Sequence, residues 1–322
     1  MAATEQFDVD EEGAGVRLDR LLAALPSVGS REKARTALRA GKVLVDGARA
    51  TPEDGGRRFP AGSRVEIEWN RPGSSARRVA GRDAMERAGV TVVFSDDAVI
   101  ICDKPVGLLT DSASVQQAKS EDTLRKRMRA WVGGGDVWPV HRIDRNTTGL
   151  VCFARSAELR MELSRQWEAR TPLRCYLALV QGRMEQDRGT FSDWMNWDKA
   201  KLLQRSARPD TKGAVLAQAS WEVRERFGSR ATLLEVRLSS GRRNQIRLQA
   251  QLAGHPLVGE TLYRDPHPAP TIRHPRYALH ALRLGFNHPQ TGEPVLFEAP
   301  PPDDLVGLFA SLRDPGSEPT RR

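Results

Sequence analysis

Residues 141–149, His-Arg-Ile-Asp-Arg-Asn-Thr-Thr-Gly, set one carboxylate, Asp144, between Arg142 and Arg145 and run directly into the apolar stretch Leu150, Val151, Cys152, Phe153, Ala154. A short apolar run of this kind predicts a buried strand over 150–155, with the charged loop at its entrance. A carboxylate between guanidinium groups is favoured in its charged form, so Asp144 is expected to stay ionised at neutral pH even when partly desolvated. That suits a nucleophile better than a general acid. The same residue types also make a structural ion pair, and the loop alone leaves both readings open.

The rest of the chain sets the context. Its 322 residues are enough for a sizeable core and more than one folding unit. The net charge of +9 suggests a polyanionic partner. Residues 1–15 carry five acids and no base, and read as an acidic tail; residues 16–70 carry eleven bases against seven acids. Cys102, Cys152 and Cys175 are widely separated, two of them inside apolar runs, which fits free thiols in a reducing compartment. No amino-terminal segment resembles a signal peptide and no apolar stretch approaches the ~18 residues of a membrane span, so a cytoplasmic protein without membrane contact is expected.

The apolar positions Val16, Leu18, Leu21, Leu22 and Leu25 predict a helix that Pro26 stops. Ser30 is a candidate N-cap for a second helix through about Ala40, ended by Gly41 and presenting Arg31, Lys33, Arg35 and Arg39. Lys42 to Gly47 and Arg64 to Trp69 read as short strands, the first entering an Asp-Gly turn. This small α/β unit, 16–70, resembles the alpha-L RNA-binding module of a small-subunit ribosomal protein and several RNA-modifying enzymes, through Arg17-Leu18-Asp19-Arg20-Leu21-Leu22 and Gly41-Lys42-Val43-Leu44-Val45-Asp46-Gly47. The resemblance implies RNA contacts from Arg17, Arg20, Arg31, Arg35 and Lys42.

Residues 71–88, rich in Gly, Ser and Arg, read as a basic linker, and a larger domain is expected over 89–303, with a tail after it at 304–322. Thr91–Phe94 and Ala98–Cys102 read as paired strands; further strands are expected at 150–155, 174–181, 214–224, 231–239, 277–284 and 294–298, and helices at 120–131, 157–168 and 243–253. Strands outnumber helices without alternating with them, so the larger domain is predicted to be α+β, built on a mostly antiparallel, bent mixed sheet.

Four segments join the Asp144 loop: Lys104-Pro105-Val106-Gly107-Leu108; Arg174 to Gly182, with Tyr176; Gly241 to Arg247 with Gly254 to Gly259; and Leu279-His280-Ala281 with His288 to Glu293. In this order and spacing they resemble the RluA-type RNA pseudouridine synthases over about residues 90–302. The resemblance implies a pseudouridine synthase-like fold and isomerisation of uridine without metal or cofactor. It assigns Asp144 as the catalytic carboxylate, Arg247 as the arginine that pairs with it, and Tyr176 as the platform under the target base. Arg142 matches the arginine that fills the gap left by an everted nucleotide, and Lys104, Arg174 and Arg242 are phosphate or framework contacts. The implied substrate is large-subunit ribosomal RNA, with transfer RNA as the alternative, and a monomer is the default state. Asn244, Gln249, Thr148 and Cys175 depart from the family pattern, the first two replacing histidines around Arg247.

Other residues read as framework. His255, His280 and His288 lack ligand-like spacing. Arg125-Lys126-Arg127 with Arg129 is a solvated helix face, and the tryptophans are packing anchors, with an RNA role open for Trp131 or Trp138. A kinase is excluded: Ile143 separates arginine from aspartate, no asparagine stands at the required spacing, and glycine-rich and Asp-Phe-Gly motifs are missing. A serine hydrolase fails for lack of Gly-x-Ser-x-Gly. A non-catalytic RNA-binding factor for ribosome assembly fits the charge equally well, but does not require Asp144, Tyr176 and Arg247 together.

Overall fold

The computed structural model describes residues 4–39, 41–68, 89–112, 120–201, 203–263 and 272–314. Contacts divide the chain into two compact units, Met1–Gly81 and Arg82–Arg322. The 71–88 stretch read as a linker lies outside the described residues.

In the first unit, α1 (Leu18–Ala24) buries Leu18 and Leu22, and α2 (Arg31–Arg39) buries Ala34, Ala37 and Leu38. The Ser30 hydroxyl caps α2 by accepting from the Lys33 amide at 3.2 Å. A four-stranded antiparallel sheet, in the order β1 (Thr4–Asp8), β4 (Arg64–Glu68), β2 (Val43–Val45), β3 (Ala48–Arg49), completes the core. The expected acidic tail is therefore corrected: its residues 4–8 are an edge strand paired with β4 from Thr4↔Glu68 to Asp8↔Arg64. Phe7 and Val9, two apart, pack on this core, and they outweigh the surrounding acids.

The second unit is built on one large sheet, in the order β11 (Leu203–Ser206), β10 (Arg188–Asp198), β12 (Val215–Phe227), β13 (Ala231–Leu238), β9 (Leu173–Gln181), β14 (Leu279–Asn287), β8 (Thr148–Ala154), β6 (Val99–Lys104), β5 (Thr91–Ser95). Strand β15 (Pro294–Glu298) pairs with β14, and β7 (Trp138–Pro139) with β8. Among the described residues every pairing between these strands is antiparallel except β8 with β14. Strands β10 and β11 carry polar and aromatic residues without clean alternation, and periodicity does not reveal them.

The two faces of the sheet carry separate cores. Tyr176, Ala178 and Val180 of β9 pack with Ile246 and Ala250 of α5 (Gln245–Leu252) on one face. Leu177 and Leu179 pack with Leu305, Phe309 and Leu312 of α6 (Asp303–Arg313) on the other. The domain thus does not end at residue 303. Pro300-Pro301-Pro302 precedes a helix rather than closing the fold, because proline is tolerated at a helix start. The expected helices at 120–131 and 157–168 are α3 (Leu124–Trp131) and α4 (Ala157–Glu168), capped by Thr123 and Ser156. Arg125 and Arg127 pair with Asp111 and Asp122, and Trp131 and Trp138 pack partly against the cores. No helix among the described residues is long and apolar enough to cross a membrane.

Candidate active site

The Asp144 loop enters the sheet where β8 meets β14 in parallel. Gly149 makes this possible: its φ is +108°, and a Cβ there would collide with the Ala281 backbone. The loop is braced through its carbonyls. Buried Lys104 donates from Nζ to the oxygens of Pro105 (2.9 Å), Leu108 (2.8 Å) and Arg145 (2.9 Å). Thr110 exchanges hydrogen bonds with Ile143, at 3.0 and 3.2 Å. Arg276 reaches the Asn146 carbonyl at 3.2 Å and is gripped by both oxygens of Asp304, at 2.7 and 3.0 Å.

Two histidines fix the loop ends. His141 Nε2 accepts from the Cys152 amide at 3.1 Å and its ring stacks on Trp167, while burial pushes its pKa down to about 3, so it is neutral. His280 Nε2 lies 2.9 Å from the Ala299 carbonyl oxygen and must carry the proton, which leaves Nδ1 to accept from Thr148 at 2.9 Å. His255 and His288 likewise bond to Gln181 and Asp96. Among the described residues no cluster of His, Cys, Asp or Glu is placed to hold a metal ion.

Asp144, Arg142, Arg174, Tyr176, Arg242 and Arg247 line one cavity of about 320 Å³. The Asp144 side chain keeps 29% of its surface open to it. Burial raises the Asp144 pKa above the ordinary value; Arg247, Arg142, Arg243 and Lys104 pull it back only in part. The sequence sets Arg142 and Arg145 on either side of this carboxylate, and of the two only Arg142 acts on it. Arg145 turns away to Glu121 and to the Gly107 carbonyl, and desolvation is the larger effect.

Arg247, on α5, approaches Asp144 at 3.8 Å but forms its close bidentate pair with Glu260, at 2.7 Å on both edges. Tyr277 lies under its guanidinium at 4.0 Å. Glu260 also accepts from the amides of Thr261 and Leu262, at 2.8 and 2.7 Å. Sequence reading missed Glu260, which carries no periodic signal. Asn244, at the left-handed start of α5 with φ +53°, faces the carboxylate itself. The Tyr263 hydroxyl accepts from the Gln204 amide at 3.0 Å, so its own hydrogen goes to the Asn244 oxygen at 3.2 Å. The Asn244 amide nitrogen then donates to Asp144 at 2.7 and 3.2 Å. Gln249, the other departure, binds Asp193 at 2.9 Å and the Ala217 carbonyl at 3.0 Å and leaves the support of Arg247 to Glu260.

Tyr176 is buried, with its hydroxyl pKa pushed up to about 12 by burial, so it is protonated at neutral pH. Arg142 and Arg242 are exposed, and Arg243 stacks on Trp197 at 4.3 Å. Lys104 is the one site candidate to be withdrawn as an RNA contact: it is fully buried and its three donors are spent on carbonyls.

Residues 98–252 match the RNA pseudouridylate synthase family, and residues 16–54 match the S4 domain. A ribosomal large subunit pseudouridine synthase D of Nitrosomonas europaea is 32% identical, over 97% of this chain and 88% of its own length. The chain belongs to the RNA pseudouridylate synthase family. An uncharacterised RNA pseudouridine synthase of Bacillus subtilis is also 32% identical, over 97% of this chain and 99% of its own. Among solved structures, human RNA pseudouridylate synthase domain containing 4 shares the fold, with a TM-score of 0.58 at 17% identity, covering 74% of this chain and 97% of that one. This RNA pseudouridine synthase thus combines the catalytic domain with an S4 domain. In the latter, Arg17 (3.1 Å), Arg31 (2.8 Å) and Arg35 (3.8 Å) converge on buried Asp19, while Arg20 is exposed and Lys42 half-buried in the same unit.

Proposed function

We propose that this synthase isomerises uridines of large-subunit ribosomal RNA, with Asp144 as the catalytic carboxylate. The reading is carried by one observation: Asp144, Tyr176 and Arg247 come from three separate elements and line the same cavity. The family relatives named for the large ribosomal subunit support the choice of RNA.

The reaction breaks the bond from C1′ of the ribose to N1 of uracil and forms one from C1′ to C5. N1 gains a proton and C5 loses one, with no change in oxidation state. Asp144 drives the cleavage, by attack on C1′ or by taking the C2′ proton. Tyr176 stacks under the detached base while it turns, an interaction typically worth ~1–3 kcal/mol. Arg247 holds countercharge beside the carboxylate. The uridine is everted into the cavity, and Arg142 takes its place in the stack, offsetting part of an unstacking cost of roughly a few kcal/mol. Arg242 and the S4 arginines Arg17, Arg20, Arg31 and Arg35, with Lys42, follow the phosphates. The protein acts in the cytoplasm as a monomer.

Mapping pseudouridines in ribosomal and transfer RNA from cells with and without the gene tests the substrate: loss confined to large-subunit RNA is expected, and loss confined to transfer RNA sinks that choice. Asp144→Asn is expected to abolish isomerisation while RNA affinity stays within a few-fold of wild type. Turnover by this variant would remove Asp144 from the chemistry.

A further inference from the structure

Three arginines are buried among the described residues: Arg174, Arg247 and Arg276. Glu260 neutralises Arg247 and Asp304 neutralises Arg276. Arg174 is 8% exposed, and no described carboxylate lies within ion-pair distance of it. Its guanidinium makes no hydrogen bond to any described residue, and its Nε is fully buried without a partner. The titratable groups that face it are the Tyr176 hydroxyl, protonated and neutral, and another cation, Arg170. His141 beside it is neutral.

A buried cation with no counter-ion is costly, and one that faces an open cavity can be repaid by an anion that enters it. Arg174 lies in the cavity wall, two residues along β9 from Tyr176 and so on the same face of the sheet. Gly241 on the facing loop leaves room for it: a Cβ there would overlap Arg174 Nη1. The seat is thus shaped around the guanidinium, and its open side is the cavity.

We propose that Arg174 is the receptor for a backbone phosphate flanking the everted uridine, the counter-ion that the protein itself withholds. The proposal rests on the reading of RNA as substrate. A phosphate diester fits better than a uracil carbonyl because it brings a full negative charge and two oxygens that match the planar fork of an arginine. Arg142, Arg242 and Arg243 at the same cavity continue the positive path along the strand.

The test pairs Arg174→Met with target RNA hairpins carrying a single uncharged methylphosphonate at each phosphate around the uridine. Binding is measured as well as turnover. Wild type is expected to lose roughly ten- to a hundredfold in affinity at one phosphate, as for a charged hydrogen bond. Arg174→Met should show the same loss with unmodified RNA and no further loss at that phosphate, with its salt slope reduced by about 1. Free of RNA, Arg174→Met should melt at or above wild type, because it removes an uncompensated charge; Gly241→Ala, which displaces the guanidinium, should mimic the loss of affinity. Additive losses, or insensitivity of wild type at every phosphate, would overturn the proposal. So would a lower melting temperature with an unchanged salt slope, which marks a framework role. Wild type that binds RNA but forms no pseudouridine would fail the proposed function, and the binding arm would still decide the role of Arg174.

Discussion

Asp144 sits between opposing influences: burial raises its pKa, while Asn244 and Arg247 favour its charged form. On the proposed function the carboxylate is the active form; activity is then lost as pH falls through this raised pKa, and the acid limb of kcat should lie above the ordinary carboxylate range. Replacing Asn244 by Leu removes the one amide nitrogen that reaches both carboxylate oxygens and should move that limb to higher pH; a pH–rate profile measures it. Glu260→Gln acts with the opposite sign. It leaves Arg247 without its bidentate partner, strengthens the pull of that charge on Asp144, and should move the limb to lower pH. The same change should cost stability of about 3–5 kcal/mol by denaturant unfolding, as for other broken buried pairs.

Helix α6 connects packing to the Asp144 loop. Leu305, Phe309 and Leu312 bury one face of it, and Asp304 in its first turn holds Arg276, which in turn holds the carbonyl of Asn146. Asp304→Ala should therefore lower kcat together with the melting temperature, although the residue lies outside the cavity; unchanged kcat would detach the helix from the loop. At the crossing of β8 and β14, Gly149→Ala meets both a positive φ and the Ala281 backbone. It should cost at least about 1–3 kcal/mol in denaturant unfolding, from backbone strain alone. The β8–β14 register itself is visible only in the folded sheet, since strands 148–154 and 279–287 are far apart in sequence and each reads simply as an apolar run.

The proposed function divides the work between a unit that holds RNA and one that changes it. Removing residues 1–68 should weaken binding to ribosomal RNA and flatten its salt dependence, while isomerisation of a short hairpin continues; loss of chemistry with an intact catalytic fold would argue against this division. Within the S4 domain, Asp19 is held down to about 2 by Arg31 and Arg17 despite its burial. Its folded pKa lies below the unfolded value near 4, so its contribution to stability is complete above that pH and is lost as pH falls towards 2. Circular dichroism of this unit between pH 5 and 2 should show the loss, and Asp19→Asn should abolish that part of the pH dependence.

Local pattern was enough to read the two-part organisation, the α+β class, helix 157–168 and the motif residues that line the cavity, because periodicity, caps and motif spacing are properties of neighbouring residues. It misplaced both ends of the chain, where an acid-rich stretch hid a strand and a proline run hid a helix start. It also set Lys104 among the candidate RNA contacts and took Arg145 as a neighbour acting on Asp144. Those errors share one cause. Burial, and the choice of ion-pair partner, depend on residues far away in sequence: Glu260 claims Arg247, Glu121 claims Arg145, and three backbone carbonyls claim Lys104. Charge state and contact are set by distance and desolvation, which exist only once the strands have come together.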